Sequence, residues 1–111
     1  MADPRYKRVL LKISGEAFCK EGARGVDISE ARSIAGQVCE ASEQGSQVAI
    51  VVGGGNIVRG AEVQEMNRAA ADYIGMVATM INALTMQGRL EHIGVQTRVM
   101  SAIDMNQVAE P

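Results

Sequence analysis

Aromatic side chains make up only 3% of this 111-residue chain, with no tryptophan, one phenylalanine and two tyrosines. A core therefore has to be built from aliphatic residues and seven methionines, and a hydrophobic content of 47% suffices for one domain. Charge is equally unassertive: a net −2 gives no reason to expect nucleic-acid binding by bulk electrostatics. Cysteine is scarce as well. Cys19 and Cys39 stand apart without metal-ligand spacing or a disulfide framework, which favours a reducing, cytoplasmic setting and argues against a protein-held metal. No apolar N-terminal stretch with a cleavage site precedes the first apolar run, so export is not expected. The single histidine, His92, follows Arg89, Leu90 and Glu91 at a helix end, where it serves the helix dipole rather than acid–base chemistry.

What the chain does have is glycine in the right places. Gln47 to Val52 is a short apolar run that empties into Gly53, Gly54, Gly55 and Asn56, with Arg59 and Gly60 close behind. Glycines let backbone N–H groups close on ligand oxygens, and arginine adds a fork of donors suited to phosphate. A phosphate-bearing ligand follows as the first expectation. The run is not a Walker A loop, because Ala61 and Glu62 stand where lysine and a hydroxyl are needed after Gly60. It is not a dinucleotide fingerprint either, because Val58 occupies the third glycine position. A glycine-rich turn with no ligand is the plain alternative.

A second constellation shifts the balance. Tyr6 to Glu16 is again a strand-like run, and it ends in a lysine, a hydroxyl and a glycine, Lys12, Ser14 and Gly15. Lys12 lies among Leu10, Leu11 and Ile13, where a buried ammonium would need a partner, and a phosphate is such a partner. A strand-end lysine that snorkels to water is the competing reading.

The rest of the chain alternates strand and helix patterns. Phe18 to Gly25 reads as an exposed loop. Asp27 or Ser29 caps a helix whose apolar positions are Ile28, Ala31, Ile34, Ala35 and Val38, with Gly45 as its stop. From Ile74 to Gly88 no side chain is charged, and Thr79, Asn82, Thr85 and Gln87 make the stretch too polar, as well as too short, for a membrane span. Burial between layers or in a subunit contact remains. Met76, Met80 and Met86 read as core filler. Val95 to Met100 alternates and reads as a third strand leaving through Ser101 and Ala102. Strand–helix–strand repetition predicts an α/β fold, a mainly parallel sheet between helical layers in a three-layer αβα sandwich, with ligands beyond the carboxyl ends of the strands. Lys12 to Gly15, Gly53 to Arg59 and Ser101 would then share one rim.

Lys12-Ile13-Ser14-Gly15-Glu16, Gly53-Gly54-Gly55-Asn56 and Arg59-Gly60, together with Met66-Asn67-Arg68, Asp72, Gly75-Met76, Ala78-Thr79 and Met100-Ser101-Ala102-Ile103, resemble the bacterial uridylate (UMP) kinases of the amino acid kinase superfamily. The likeness runs along the whole chain. Members of that family are roughly twice as long, so residues 1–111 read as the N-terminal, acceptor-proximal half of one kinase domain, whose C-terminal nucleotide half lies elsewhere and without which no turnover is expected. The resemblance implies transfer of a phosphoryl group from Mg-ATP to UMP, with UMP oxygen as the attacking group and Mg2+ carried by ATP. It implies Lys12 at the transferring γ-phosphoryl group, with Lys12, Ile13, Ser14, Gly15, Gly55 and Arg59 on the ATP side and Gly54 and Asp72 on UMP. Asp72 also admits a purely structural part at a helix start. A homohexamer, and GTP or UTP as allosteric effectors acting in part through Lys20 to Gly25, are further implications. Gln87 and Glu91 replace the family's effector arginine and histidine, a departure that counts against GTP control. The competing classes are a non-catalytic anion-binding or assembly module, and the carbamate, acetylglutamate or aspartate kinase branches, which match the run from Met66 to Asp72 less well.

Overall fold

Two six-residue runs, RVLLKI and QVAIVV, carry the apolar and β-branched side chains that suit a pleated surface, and they form β1 (Arg8–Ile13) and β2 (Gln47–Val52). The computed structural model describes residues 5–58 and 64–111, and in it β1 and β2 pair in parallel, from Arg8 opposite Gln47 to Ile13 opposite Val52. Parallel neighbours need a crossover, and α1 (Ile28–Glu43) provides it. A short 3₁₀ turn, Gly15–Phe18, leaves β1, and α2 (Arg68–His92) follows the glycine segment.

Side chains on alternate strand positions decide which face is covered. Ile13, Val48, Ile50 and Val52 pack on a core of Phe18, Ala31, Ala35, Val38, Met86 and Leu90, contributed by the 3₁₀ turn, α1 and α2. The opposite face is bare: Leu10 is 71% exposed and Val51 52%. Thus the expected α/β fold with parallel strands is present, and the described residues supply two strands of an incomplete sheet with helices packed on one face.

The cap of α1 is settled by geometry. Asp27 Oδ1 accepts from Ser29 N at 2.8 Å and from Glu30 N at 3.4 Å, so Asp27 and not Ser29 is the cap. Gly45, with φ of 101°, ends that helix in the left-handed conformation that glycine adopts freely. Asp27→Ala is expected to lower stability by about 1 kcal/mol, the usual cost of losing a cap, read as a lower midpoint in urea.

Three expectations need correction. Phe18 and Cys19 do not belong to an exposed loop: Phe18 is fully buried, because the chain's one phenylalanine is recruited to fill the core, and exposure begins at Lys20. Val95 to Met100 does not form a third strand. Met100 makes only an isolated parallel bridge with Glu110, and Ser101 N and Glu110 N bond across it to Glu110 O and Val99 O. Alternation makes a segment suitable for a sheet, but a ladder needs a partner, and here the segment faces β2 across a cavity of about 550 Å³ instead. Arg98 clamps Glu110 from the same side at 2.6 and 2.9 Å, and these hydrogen bonds hold the Glu110 carboxyl below the usual carboxylate range.

The third correction concerns α2. At 25 residues it is longer than its charge-free stretch and is, by length and composition, able to cross a membrane. One of its polar residues, Asn82, ties its middle to the glycine segment. Asn82 is fully buried within hydrogen-bond reach of the glycine segment, while Met80 and Met86 fill space as expected. The other side of the helix stays exposed at Tyr73, Val77 and Ile81, so α2 is covered on one side only.

Candidate active site

The chain leaves both strands at the same end of the sheet, and the two exits touch. Gly53 N donates to Ile13 O at 2.9 Å, which sets the glycine segment directly against Ser14 and Gly15. A methyl group added at Gly15 would lie 2.5 Å from Gly55 N, 2.7 Å from Asn56 Oδ1 and 2.9 Å from Gly54 C. At Gly54 it would lie 2.8 Å from Ala78 Cβ and 3.0 Å from Thr79 N. These glycines are present because three backbones meet here: the exit of β1, the exit of β2 and the middle of α2.

The turn after β1 is locally capped. Ser14 Oγ accepts from Glu16 N at 3.3 Å, holding the Gly15–Phe18 turn closed. Ile13 packs its side chain into the core and commits its carbonyl to Gly53, so its side chain takes no part in the rim. Gly54 O accepts from both Ile57 N and Val58 N, which curls the segment back on itself. The N–H groups of Gly54 and Gly55 donate to no described residue. A curled run of glycines whose amides have no described acceptor can offer donors to anionic oxygens without any charged side chain.

Lys12 stands one residue before the rim and is exposed, on the same bare face as Leu10 and Val51. The expectation that apolar neighbours bury it does not hold, because Leu11 and Ile13 point to the opposite face. Its ammonium has no ion-pair partner among the described residues. Arg59 lies outside the described residues. Asp72 sits in the second turn of α2, exposed, with no described hydrogen-bond partner. The cap of α2 is Asn67, whose Oδ1 accepts from Ala69 N at 2.8 Å, so Asp72 is not needed to start the helix. Asp72 shares a helix side with Thr79, which packs on Gly54, and stands about 10 Å further out along the axis. The structure therefore joins Ser14, Gly15, Gly54 and Gly55 in one contact, with Lys12 beside it and Asp72 beyond it. Among the described residues no cluster of histidine, cysteine and carboxylate side chains is suited to a metal ion.

One part of the site is not signalled by the motifs. Asn56 and Asn82 are each fully buried and face one another: Asn82 Nδ2 donates to Asn56 Oδ1 at 2.7 Å, and Asn56 Nδ2 donates to Asn82 Oδ1 at 3.1 Å. Each spends its second N–H on a carbonyl, Asn82 on Gly53 at 2.7 Å and Asn56 on Gly25 at 2.9 Å. The sequence signal for this pair is limited to Asn56 at the end of the glycine motif and an asparagine in the charge-free stretch of α2.

Comparison with known proteins gives one answer by three routes. Residues 7–110 match the model of the amino acid kinase family. Uridylate kinases from two strains of Streptococcus thermophilus are 50% identical over 113 aligned residues, covering 100% of this chain and 46% of theirs. Among solved structures, UMP kinase from Bacillus anthracis superposes with a TM-score of 0.86 at 39% identity, over 96% of this chain and 45% of that one. UMP kinase from Ureaplasma parvum gives 0.86 at 37% identity, over 96% and 46%. The chain thus spans less than half the length of the relatives it matches. On the match across nearly all of its residues, this chain belongs to the amino acid kinase family.

Proposed function

We propose that this chain is the acceptor-proximal and triphosphate-proximal portion of a uridylate kinase, which converts UMP and Mg-ATP to UDP and ADP. The observation that carries the reading is 50% identity to uridylate kinases over the entire chain. That likeness also favours UMP over the acceptors of the carbamate, acetylglutamate and aspartate kinase branches. In the transfer, an oxygen of the UMP phosphate attacks the γ-phosphorus while the bond from that phosphorus to the β–γ bridging oxygen breaks, leaving ADP. No protein nucleophile is needed, so the protein's work is alignment and charge neutralisation. Gly55, Ser14 and Gly15 would line the ATP phosphates, with Ile13 contributing backbone only and Arg59 reaching the same nucleotide. Gly54 would meet the UMP phosphate, and Lys12 would face the charge that builds on the moving group. Mg2+ enters with ATP as part of the substrate. The free thiols of Cys19 and Cys39 support a cytoplasmic location. The exposed row of Tyr73, Val77 and Ile81 on α2 supports assembly with further copies, a hexamer by family likeness. GTP or UTP control remains an implication of the family, weakened by Gln87 and Glu91.

The test is a coupled assay of the nucleotide products with a polypeptide of the relatives' full length that carries this segment. UMP-dependent formation of ADP and UDP is expected, and ADP formation driven by carbamate, acetylglutamate or aspartate but not by UMP would overturn the reading. In the same protein, Asp72→Asn should raise the Kd for UMP by about one to two orders of magnitude, since a hydrogen bond to a charged acceptor contributes roughly 1.5–3 kcal/mol. ATP affinity should stay within about twofold, a range set by the small free energy it represents. Titration calorimetry with each nucleotide decides, and unchanged UMP affinity removes Asp72 from the acceptor site.

A further inference from the structure

We propose that Asn82 is a positioning residue: from the middle of α2 it holds the glycine segment in the curled shape that presents the Gly54 and Gly55 amides. The proposal deepens the kinase reading above and rests on it for its kinetic consequences.

The argument begins with burial. Asn82 and Asn56 have no exposed surface, in a chain where apolar residues of similar volume are plentiful. A buried amide is costly unless every donor is used, and here all four side-chain N–H groups are used. Two join the asparagines to each other; the remaining two reach main-chain carbonyls, at Gly53 and Gly25. Gly25 N also donates to Asn56 O at 2.8 Å, so the link to the loop before α1 is double. The pair therefore ties together three segments that share no secondary structure: the exit of β2, the loop before α1 and α2.

What the tie does for the site follows from which carbonyl it holds. Gly53 O and the N–H of Gly54 belong to the same peptide group, and a trans peptide unit is planar, so fixing that oxygen fixes the direction of the Gly54 amide. Glycine has the widest backbone freedom of any residue, and three in succession would sample many shapes if nothing held them. Asn82 supplies the restraint from a rigid element, where a site group can be held to within a fraction of an ångström. Asn56 Oδ1 is also one of the atoms that would meet a methyl group on Gly15, so the asparagine pair packs against both glycine exits at once. Neither asparagine needs to touch a nucleotide.

The test uses the full-length protein carrying this segment, with Asn82→Ala, Asn56→Ala and the double variant. At saturating UMP and ATP, well below the melting temperature, Asn82→Ala should lower kcat per folded molecule by roughly tenfold to a hundredfold, the cost of misplacing groups by about 1 Å. The double variant should cost about as much in kcat as Asn82→Ala alone, because residues that act as one unit are not additive. Amide hydrogen exchange read by NMR supplies an activity-free measure. Exchange at Gly53, Ile57 and Val58, whose N–H groups are hydrogen-bonded to Ile13 O and Gly54 O, should quicken by about tenfold or more in Asn82→Ala, the signature of local opening, with the amides of α1 unchanged. A lower melting temperature with kcat and loop exchange unaltered would overturn the proposal, leaving Asn82 as a packing residue. If Asn82→Ala does not fold, Asn56→Ala decides: it removes the side chain that orients Asn82 toward Gly53, so it should quicken exchange at Gly53, Ile57 and Val58 and lower kcat by about twofold to tenfold. No change in either overturns it. Should the parent protein form no UDP at all, the kinase reading fails, while the exchange comparison still tests positioning on its own.

Discussion

Replacing Lys12 by alanine in the full-length protein is expected to lower kcat for UDP formation by about a hundredfold or more, with a far smaller change in KM for UMP. The side chain is exposed at the last but one position of β1, beside the rim where Ser14, Gly15, Gly54 and Gly55 meet. No described carboxylate neutralises it. An unpaired ammonium in that place is available to the oxygens of a phosphoryl group in flight, whose charge is spread over three of them. Removing one such preorganised donor costs about 3 kcal/mol, which is the rate loss just given. A lysine that merely dissolved the strand end would leave the rate alone. Steady-state kinetics with both substrates varied separates the two, and an unchanged kcat removes Lys12 from the transfer step.

The second large effect is expected from Gly15→Ala. The new methyl group would sit 2.5 Å from Gly55 N and 2.9 Å from Gly54 C, both main-chain atoms, and 2.7 Å from Asn56 Oδ1, which Asn82 already holds. None of the three can swing aside like the tip of a flexible side chain. The two exits must part, and overpacking of this kind costs about 3 kcal/mol at the upper end of its usual range. Nucleotide binding should be lost along with the stability. Gly36→Ala is the matching control, since Gly36 lies exposed within α1 and a methyl group there meets nothing within 4 Å. It should raise stability by roughly 0.5–1 kcal/mol, the difference between glycine and alanine inside a helix. Equal unfolding midpoints for Gly15→Ala and the unaltered protein would contradict the close approach of the two exits.

Much of the rim is legible in the sequence because its chemistry is local. A β-branched run ending in glycines, and a second run ending in Ser14 and Gly15, announce strand exits wherever they occur, and Asp27 with Glu30 announces a helix start. Other features depend on what lies across the fold. Lys12 reads as buried from its neighbours along the chain, yet those neighbours alternate between faces. Val95 to Met100 has a strand's pattern, but its described hydrogen bonds to other segments go to Leu90 and Glu110 rather than to β2. Phe18 reads as the start of a loop, since one aromatic residue in a turn carries no periodicity. Asn56 and Asn82 are 26 positions apart, and only the fold tells either of them that the other is there.

The length of α2 has a mechanical consequence. Its last turns are fixed in the core through Met86 and Leu90, its middle rests on Gly54 through Ala78, and Asp72 lies six residues before that contact. Asp72 is thus carried on a lever arm of about 9 Å measured from Ala78. A tilt of roughly 6° at that fulcrum moves the carboxylate by about 1 Å, a displacement large enough to change a transfer rate a hundredfold. The spacing between the proposed acceptor group and the glycine amides is therefore governed by the angular stiffness of one helix. Substitutions near Ala78 that touch neither nucleotide should retune it.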